Sequence, residues 1–369
     1  MNQTWIEHDK KIKPYLWSHR VLGIFSKLLS VLLFGVFIVT HRFIRWQDFL
    51  GASELPEIGV WLCFFGGVAL LWEVVLFPFT LSHHWVEKSH GLSKQSYQAW
   101  FLDRIKGYGV GAVLGSIALG IIFGSLSLSE QYWWLLTGFL FVLLSVVLAQ
   151  LAPVLLIPLF FKLKPMEPNP LKDRLLKLAE RFGVSVKEVY HLGMGEKTEK
   201  GNAAFVGIGK TKRILIGDTL YERFPENEIE AVFAHELGHQ VHQDLIKGIF
   251  LSSTCLILSF YLAHEISESW AFPFFRTDKH QPFGILIFFV ILSFVSFPFS
   301  FLQSLFSRWR ERMADAFAKE NLKSGECLAS ALERLTFQNK GLFKPNPLRE
   351  FWSYSHPAPW RRIEWLRKS

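Results

Sequence analysis

The sequence has little of what staples, switches or loosens a fold. Its three cysteines, Cys63, Cys255 and Cys327, form no CxxC pair and no disulfide framework. No internal repeat or low-complexity linker is visible, which excludes fibrous and disordered classes. Lys and Arg outnumber Asp and Glu, 40 to 32, yet the basic residues form no single stripe, so the net charge of +8 is not the footprint of a nucleic-acid surface. No cleaved signal peptide is expected, because about 20 mostly polar residues precede the first apolar run and no A-x-A site follows it.

What the chain has is apolar length. Half of its 369 residues are hydrophobic, Phe occurs 36 times and Trp 14 times, and mean hydropathy is +0.23 although 20% of residues are charged. The apolar residues lie in uninterrupted runs with the charge between them, which excludes a simple soluble enzyme. A helix needs ~20 apolar residues to cross a bilayer. Six runs qualify, near 21–40, 58–80, 108–128, 132–153, 246–265 and 283–303. Lys27 interrupts the first and can snorkel to the interface. Pro153 and Pro158 are expected to end the straight helix of the fourth near the surface. Gly107, Gly111 and Gly115 predict a close-packing face on the third, and Glu73 within the second calls for an interior or interfacial partner.

Six spans put segments 1–20, 81–107, 162–245 and 304–369 on one side of the membrane, with 34 Lys and Arg against four on the other. Positive residues stay inside, so both termini and both polar segments are expected in the cytoplasm. The expected organisation is a membrane region over 1–161 with four spans, a polar segment over 162–245, two more spans over 246–303 and a second polar segment over 304–369. Within 162–245 the pattern predicts a helix from Leu171 to Phe182 and a strand from Glu188 to Leu192. Two further strands, Ala203–Ile208 and Arg213–Ile216, are joined by a Gly-Lys-Thr-Lys turn, and a helix follows from near Asn227 to His242.

That last helix carries His235-Glu236-Leu237-Gly238-His239, an H-E-x-x-H. Residues four apart lie about 40° apart around a helix and ~6 Å apart along it, so both imidazoles can meet one metal ion. Glu236 is turned about 100° from His235, where a base for a metal-activated water belongs. Chance accounts for about 0.02 such matches in a chain of this composition. A catalytic zinc takes three protein ligands and an open position. His242 is ~10 Å along the axis from His235, too far to be the third. Glu311 is the better candidate, on a predicted helix directly after the sixth span, with Asp315 on the same face to orient a ligand histidine and Arg308 three residues before it.

HELGH followed by SRxxExxAD (Ser307 to Asp315) resembles the integral-membrane zinc metalloproteases typified by the type I CaaX prenyl endopeptidase. Glu87-Lys88-Ser89-His90-Gly91 resembles that family's EKHG stretch, and Leu151-Ala152-Pro153 with Leu159-Phe160 its APLF region. Asn202-Ala203-Ala204-Phe205 resembles its NAxF strand, and Ser355-His356-Pro357, with Arg362 at the same offset, its SHP motif. The resemblance implies one zinc ion per chain on His235, His239 and Glu311, with Glu236 as general base and then proton donor. It implies that His356 and Arg362 stabilise the oxyanion and that Asp315 and Arg308 support the ligands. Asn202, Ala203 and Phe205 would line an edge strand that pairs with an extended substrate. Eukaryotic members have seven spans; six here imply that the first is missing and that a closed chamber of the same size need not form.

The expectation is therefore a mainly α, polytopic membrane protein with about six transmembrane helices and a cytoplasmic α+β zincin-like metalloprotease domain holding a small β-sheet. Its substrate would be a peptide or protein, prenylated or membrane-anchored, at the lipid bilayer of a bacterial inner membrane, or of the endoplasmic reticulum in a eukaryote. Nucleic acid and nucleotide are not expected partners: Gly209-Lys210-Thr211 imitates a P-loop, but Ala204 stands where its first glycine belongs. Two other readings compete. One is an HtpX-like quality-control protease. The other is a transporter or scaffold with a structural metal site, which Glu236 and an open metal position oppose.

Overall fold

The computed structural model describes residues 2–186, 188–207, 212–322 and 324–368. Among the described residues six helices are long and apolar enough to cross a membrane: Lys13–Val39, Glu57–Ser89, Tyr97–Leu128, Trp133–Phe160, Asp244–Phe275 and Pro282–Asn321. Each overlaps one of the runs read from the sequence, and all are longer than the run. The first, second, third, fourth and sixth helices continue on the side that carries the basic residues. Helix formation does not stop where apolarity stops, because the backbone gains its hydrogen bonds in water or in lipid alike. The protruding turns make part of the polar body.

The straight α-helix of the fourth span, Trp133–Leu151, ends beside Pro153, where a π-helical turn, Ala152–Leu156, leads into a last turn, Ile157–Phe160, around Pro158. Proline forfeits one backbone hydrogen bond, and a wider turn accommodates the loss. The fifth span does the same at Ser267–Ala271, just before Pro273. The glycine face of the third span corrects an expectation. A methyl group added at Gly107, Gly111 or Gly115 would meet nothing within 4 Å, so that face is open rather than closely packed. Glu73 faces the third span, where Arg104 and Tyr108 both donate to it.

The membrane bundle has an aromatic core that includes Phe43, Trp61, Phe64, Trp133, Phe260 and Phe288. The polar body has its own core, with Leu171, Leu175, Ile214, Phe233, Leu237 and Phe343 among its members. The N-terminal helix Gln3–Lys11 contributes Trp5 to that second core, stacked on Phe343 with ring centroids 4.9 Å apart.

Four strands form one sheet: β1 Lys162–Pro165, β2 Val189–Gly193, β3 Ala203–Val206 and β4 Arg213–Gly217. Their order is β1-β2-β4-β3, with β2 and β4 parallel and the outer pairs antiparallel. β3 is thus an edge strand, as its sequence predicts. β1 is too short and too polar to read from periodicity, and pairing with β2 alone makes it a strand. The predicted turn after β3, and with it the P-loop imitation, lies outside the described residues. The helix Pro170–Arg181 opens with the side chain of Asn169 accepting the Lys172 amide. The H-E-x-x-H helix, Glu226–Val241, packs under β3, with Phe205 and Phe233 rings 5.5 Å apart.

Candidate metal centre

Two long helices build the centre, and a glycine lets them meet. A methyl group at Gly238 would lie 3.1 Å from Ala314 Cα and 3.2 Å from Phe317 Cβ. Hydrogen at this position lets the H-E-x-x-H helix lie directly on the polar extension of the sixth span. The contact puts Glu311, three residues before Ala314, between the two histidines. His235 Nε2 is 3.3 Å from Glu311 Oε2, and His239 Nε2 is 3.4 Å from Glu311 Oε1. One ligand atom from each of the three residues lies within 4.8 Å of the other two.

Donor atoms held at ~2.0–2.1 Å by a tetrahedral ion sit about 3.3–3.4 Å apart, the distance from each histidine to one or other oxygen of Glu311. Glu311 Oε2 has no aligned hydrogen-bond partner, although His235 Nε2 and Arg362 Nη1 lie 3.3 and 3.2 Å from it. A buried carboxylate that faces one imidazole nitrogen with each oxygen fits a cation. His242 is not in the group; it meets the edge of Phe317 instead.

The supporting residues divide into two carboxylates, one behind each histidine. Asp315 Oδ1 is 2.9 Å from His235 Nδ1. Asp244 Oδ2 is 2.8 Å from His239 Nδ1. Each leaves Nε2 free to face the ion, the usual way a ligand histidine is fixed in tautomer and orientation. Asp244 escaped the sequence reading. It reaches His239 because Gln243 adopts a left-handed backbone, φ 55°, which turns the chain sharply between the H-E-x-x-H helix and the fifth span. Arg310 then donates to the Asp244 carbonyl at 2.8 Å, tying the fifth span to the residue before Glu311. Asking for a carboxylate behind His239, as for His235, would have found Asp244.

Arg362 is buried and forked on Asp315, Nε to Oδ2 at 2.8 Å and Nη2 to Oδ1 at 2.6 Å, with Nη1 3.2 Å from Glu311 Oε2. Burial works against its charge, but Asp315 and Glu311 hold its pKa above the usual guanidinium range. Its donors serve the carboxylates. His356 is the more available of the two residues read as oxyanion contacts: its Nε2 is 3.2 Å from Glu311 Oε1, and its side chain is 59% exposed. Its exposed side chain is still partly desolvated against the site, and with the nearby Arg362 charge this lowers the His356 pKa despite Glu311, so the ring is neutral at pH 7.

Arg308 does not touch a ligand. Its Nη1 donates to the carbonyls of Glu350 and Tyr354, at 3.3 and 2.7 Å, and so anchors the loop that presents His356. Arg308 shares the helix face of Glu311, but its side chain extends toward the C-terminal segment that crosses the sixth helix. Asn202 is exposed just ahead of β3, and its carbonyl accepts the Gly217 amide at 2.9 Å. The side chains of Ala203 and Phe205 turn inward beside Phe233 and Glu236, so β3 offers its backbone edge rather than those side chains.

Electrostatics set the protonation states. Burial raises the Glu236 carboxyl above the usual range, and His235 and His239 offset only part of that. Burial alone would lower His239; its hydrogen bonds to Asp244 and Glu311 outweigh this and push it up to about 9. His235 is raised in the same way by Asp315 and Glu311.

Residues 165–369, more than half of the chain, match the model of peptidase family M48. The chain belongs to that family. Residues 7–162 match a second model, described as the CAAX prenyl protease N-terminal region with five membrane helices; four of the six candidate spans lie there. Curated relatives share these features over most of their length. CAAX prenyl protease 1 of Saccharomyces cerevisiae is 29% identical over 322 residues, 82% of this chain and 71% of that protein. The homologue from Oryza sativa subsp. japonica is 31% identical over 86% of this chain and 75% of its own. An uncharacterized metalloprotease of Bacillus subtilis, YhfN, is 25% identical over 82% and 72%. The crystal structure of Ste24p from S. mikatae superposes with a TM-score of 0.90 at 25% identity, covering 98% of this chain and 89% of that one. This M48 chain is a membrane-embedded metalloprotease with six candidate spans and a His-His-Glu metal-binding group.

Proposed function

We propose that the metal is a single zinc ion held by His235, His239 and Glu311, and that the enzyme hydrolyses peptide bonds in CaaX-type prenylated or otherwise membrane-anchored substrates. The observation that carries this reading is the spacing of the three ligands, His235 and Glu311 buried and His239 partly so, with Glu236 one residue after the first. Two histidines, one carboxylate and an open position make up a catalytic zinc set, not a structural one. Bound zinc supplies Lewis acidity, polarising a carbonyl and bringing the pKa of a water to about 7.

The chain's own residues do the rest. Glu236, raised by burial, is poised to take the proton from that water and to return it to the leaving amine. The neutral imidazole of His356 donates a hydrogen bond to the developing oxyanion. Arg362 holds Asp315 and Glu311 in place and so fixes the ligand geometry. The free edge of β3 pairs with an extended substrate backbone, directly above the H-E-x-x-H helix. The prenyl part of the reading is supported by the CAAX prenyl protease relatives and by the match over residues 7–162. The charge asymmetry of the loops supports a cytoplasmic zinc site with both termini on the same side.

Elemental analysis of the purified protein tests the metal assignment. One zinc per chain is expected, lost in His235→Ala and kept in Glu236→Gln. A stoichiometry unchanged by His235→Ala would remove the assignment.

A further inference from the structure

The sixth span carries a second group of residues on the face that bears Glu311. Phe297, Phe301, Arg308, Glu311 and Asp315 recur at intervals of three, four and seven, so they share one helix stripe. Above, the stripe holds the metal centre. Below, Phe301 packs on Phe351 and Trp352, with ring centroids 4.5 and 5.1 Å away, and Phe297 stacks on Trp352 at 6.0 Å. Phe297 and Phe301 lie within the apolar run 283–303, so the short helix Pro347–Ser353 of the protease segment reaches membrane depth. Leu348, Phe351 and Trp352 remain 72%, 46% and 50% exposed there.

This aromatic face is rigidly tied to the chemistry. Arg308 holds the carbonyls at either end of the turn from Glu350 to Tyr354. Glu350 Oε1 accepts the Ala358 amide at 3.0 Å and so brackets the loop that contains His356. Ten residues of helix separate Phe301 from Glu311, about 15 Å along the axis.

We propose that Phe297, Phe301, Leu348, Phe351 and Trp352 seat the lipid chain that the substrate carries next to its scissile bond. The inference rests on the lipidated-substrate reading above and gives it a location. A substrate lipid, rather than a bilayer lipid, is the occupant that accounts for the arrangement. A bilayer lipid would need no shared stripe with a metal ligand and no clamp to the loop of His356. An apolar chain leaving a peptide held at the metal meets this face within one length of itself.

Two peptides of identical sequence test it, one S-farnesylated at the cysteine and one S-methylated. Against wild type, the double variant Phe351→Ala, Trp352→Ala should lose about tenfold or more in kcat/KM on the farnesylated peptide, chiefly through KM. Its kcat/KM on the methylated peptide should stay within about twofold, which also reports an intact site. Phe351→Leu should retain most of the farnesyl preference. Equal losses on both peptides, or none on either, would overturn the proposal while leaving the substrate class standing. Equal kcat/KM of wild type on both peptides would instead overturn the lipidated-substrate reading, and the lipid seat with it. As a readout independent of turnover, a farnesyl analogue bearing a diazirine, bound to Glu236→Gln, should label residues 348–352 or 297–301. Labelling confined to other segments would also overturn the proposal.

Discussion

Gly238 shows how much one missing methyl group can position. Alanine there would gain up to ~1 kcal/mol in helix propensity. Its Cβ, however, would press on Ala314 Cα, a backbone atom of the helix that carries Glu311, and the ligands would separate by a few tenths of an ångström. Gly238→Ala is therefore expected to fold with near-normal stability but to lose roughly ten- to a hundredfold in kcat/KM, since small misplacements at a reacting centre are costly. Steady-state kinetics beside a thermal melt would check this; unchanged kinetics would contradict the packing argument. Asp244 acts through His239. Asp244→Ala should weaken metal affinity about 10- to 100-fold, with Asp244→Asn recovering part of it, measured by competition with a chromogenic chelator. His239 also sets a pH dependence. In the metal-free protein its pKa is about 9, above the unfolded value near 6.5. Its stabilising contribution is therefore complete below about pH 6.5 and lost as pH rises through about 9. The metal needs the neutral ring, so apparent metal affinity should rise with pH up to about 9, and binding at pH 7 should release a proton. Calorimetry in buffers of different ionisation enthalpy measures that release; a pH-independent affinity would contradict the assignment.

At the scale of elements, much of the site was legible because its spacing is local. His235 and His239 lie about one helical turn apart, and so do Glu311 and Asp315. The edge position of β3 also followed from pattern. What escaped depends on how distant segments cross. Asp244 matters only because Gln243 turns the chain back, Gly238 only because another helix lies on it, and Arg308 only because the C-terminal loop passes over it. The two prolines of the fourth span end its straight α-helix as read, but the π turn through which the chain continues leaves no pattern in the sequence. The edge strand yields its own prediction. Methylating substrate amides that face β3 should raise KM several-fold at each paired position and leave alternate positions unaffected, since strand pairing uses every second amide. A flat response along the peptide would exclude strand addition.

At the scale of the whole molecule, the membrane bundle and the protease body share helices. The fifth span begins at Asp244, which orients a histidine, and the sixth span ends in the turns that carry Glu311. The metal centre is thus fastened to the bundle at both of its long helices. The account stands or falls on metal-dependent hydrolysis with Glu236 as base. The direct measurement is time-dependent cleavage of a farnesylated CaaX peptide by detergent-purified wild type, Glu236→Gln and chelator-treated protein. The account predicts cleavage by wild type alone, with Glu236→Gln slowed at least about 100-fold while still holding one zinc. Cleavage by Glu236→Gln within about tenfold of wild type would contradict it.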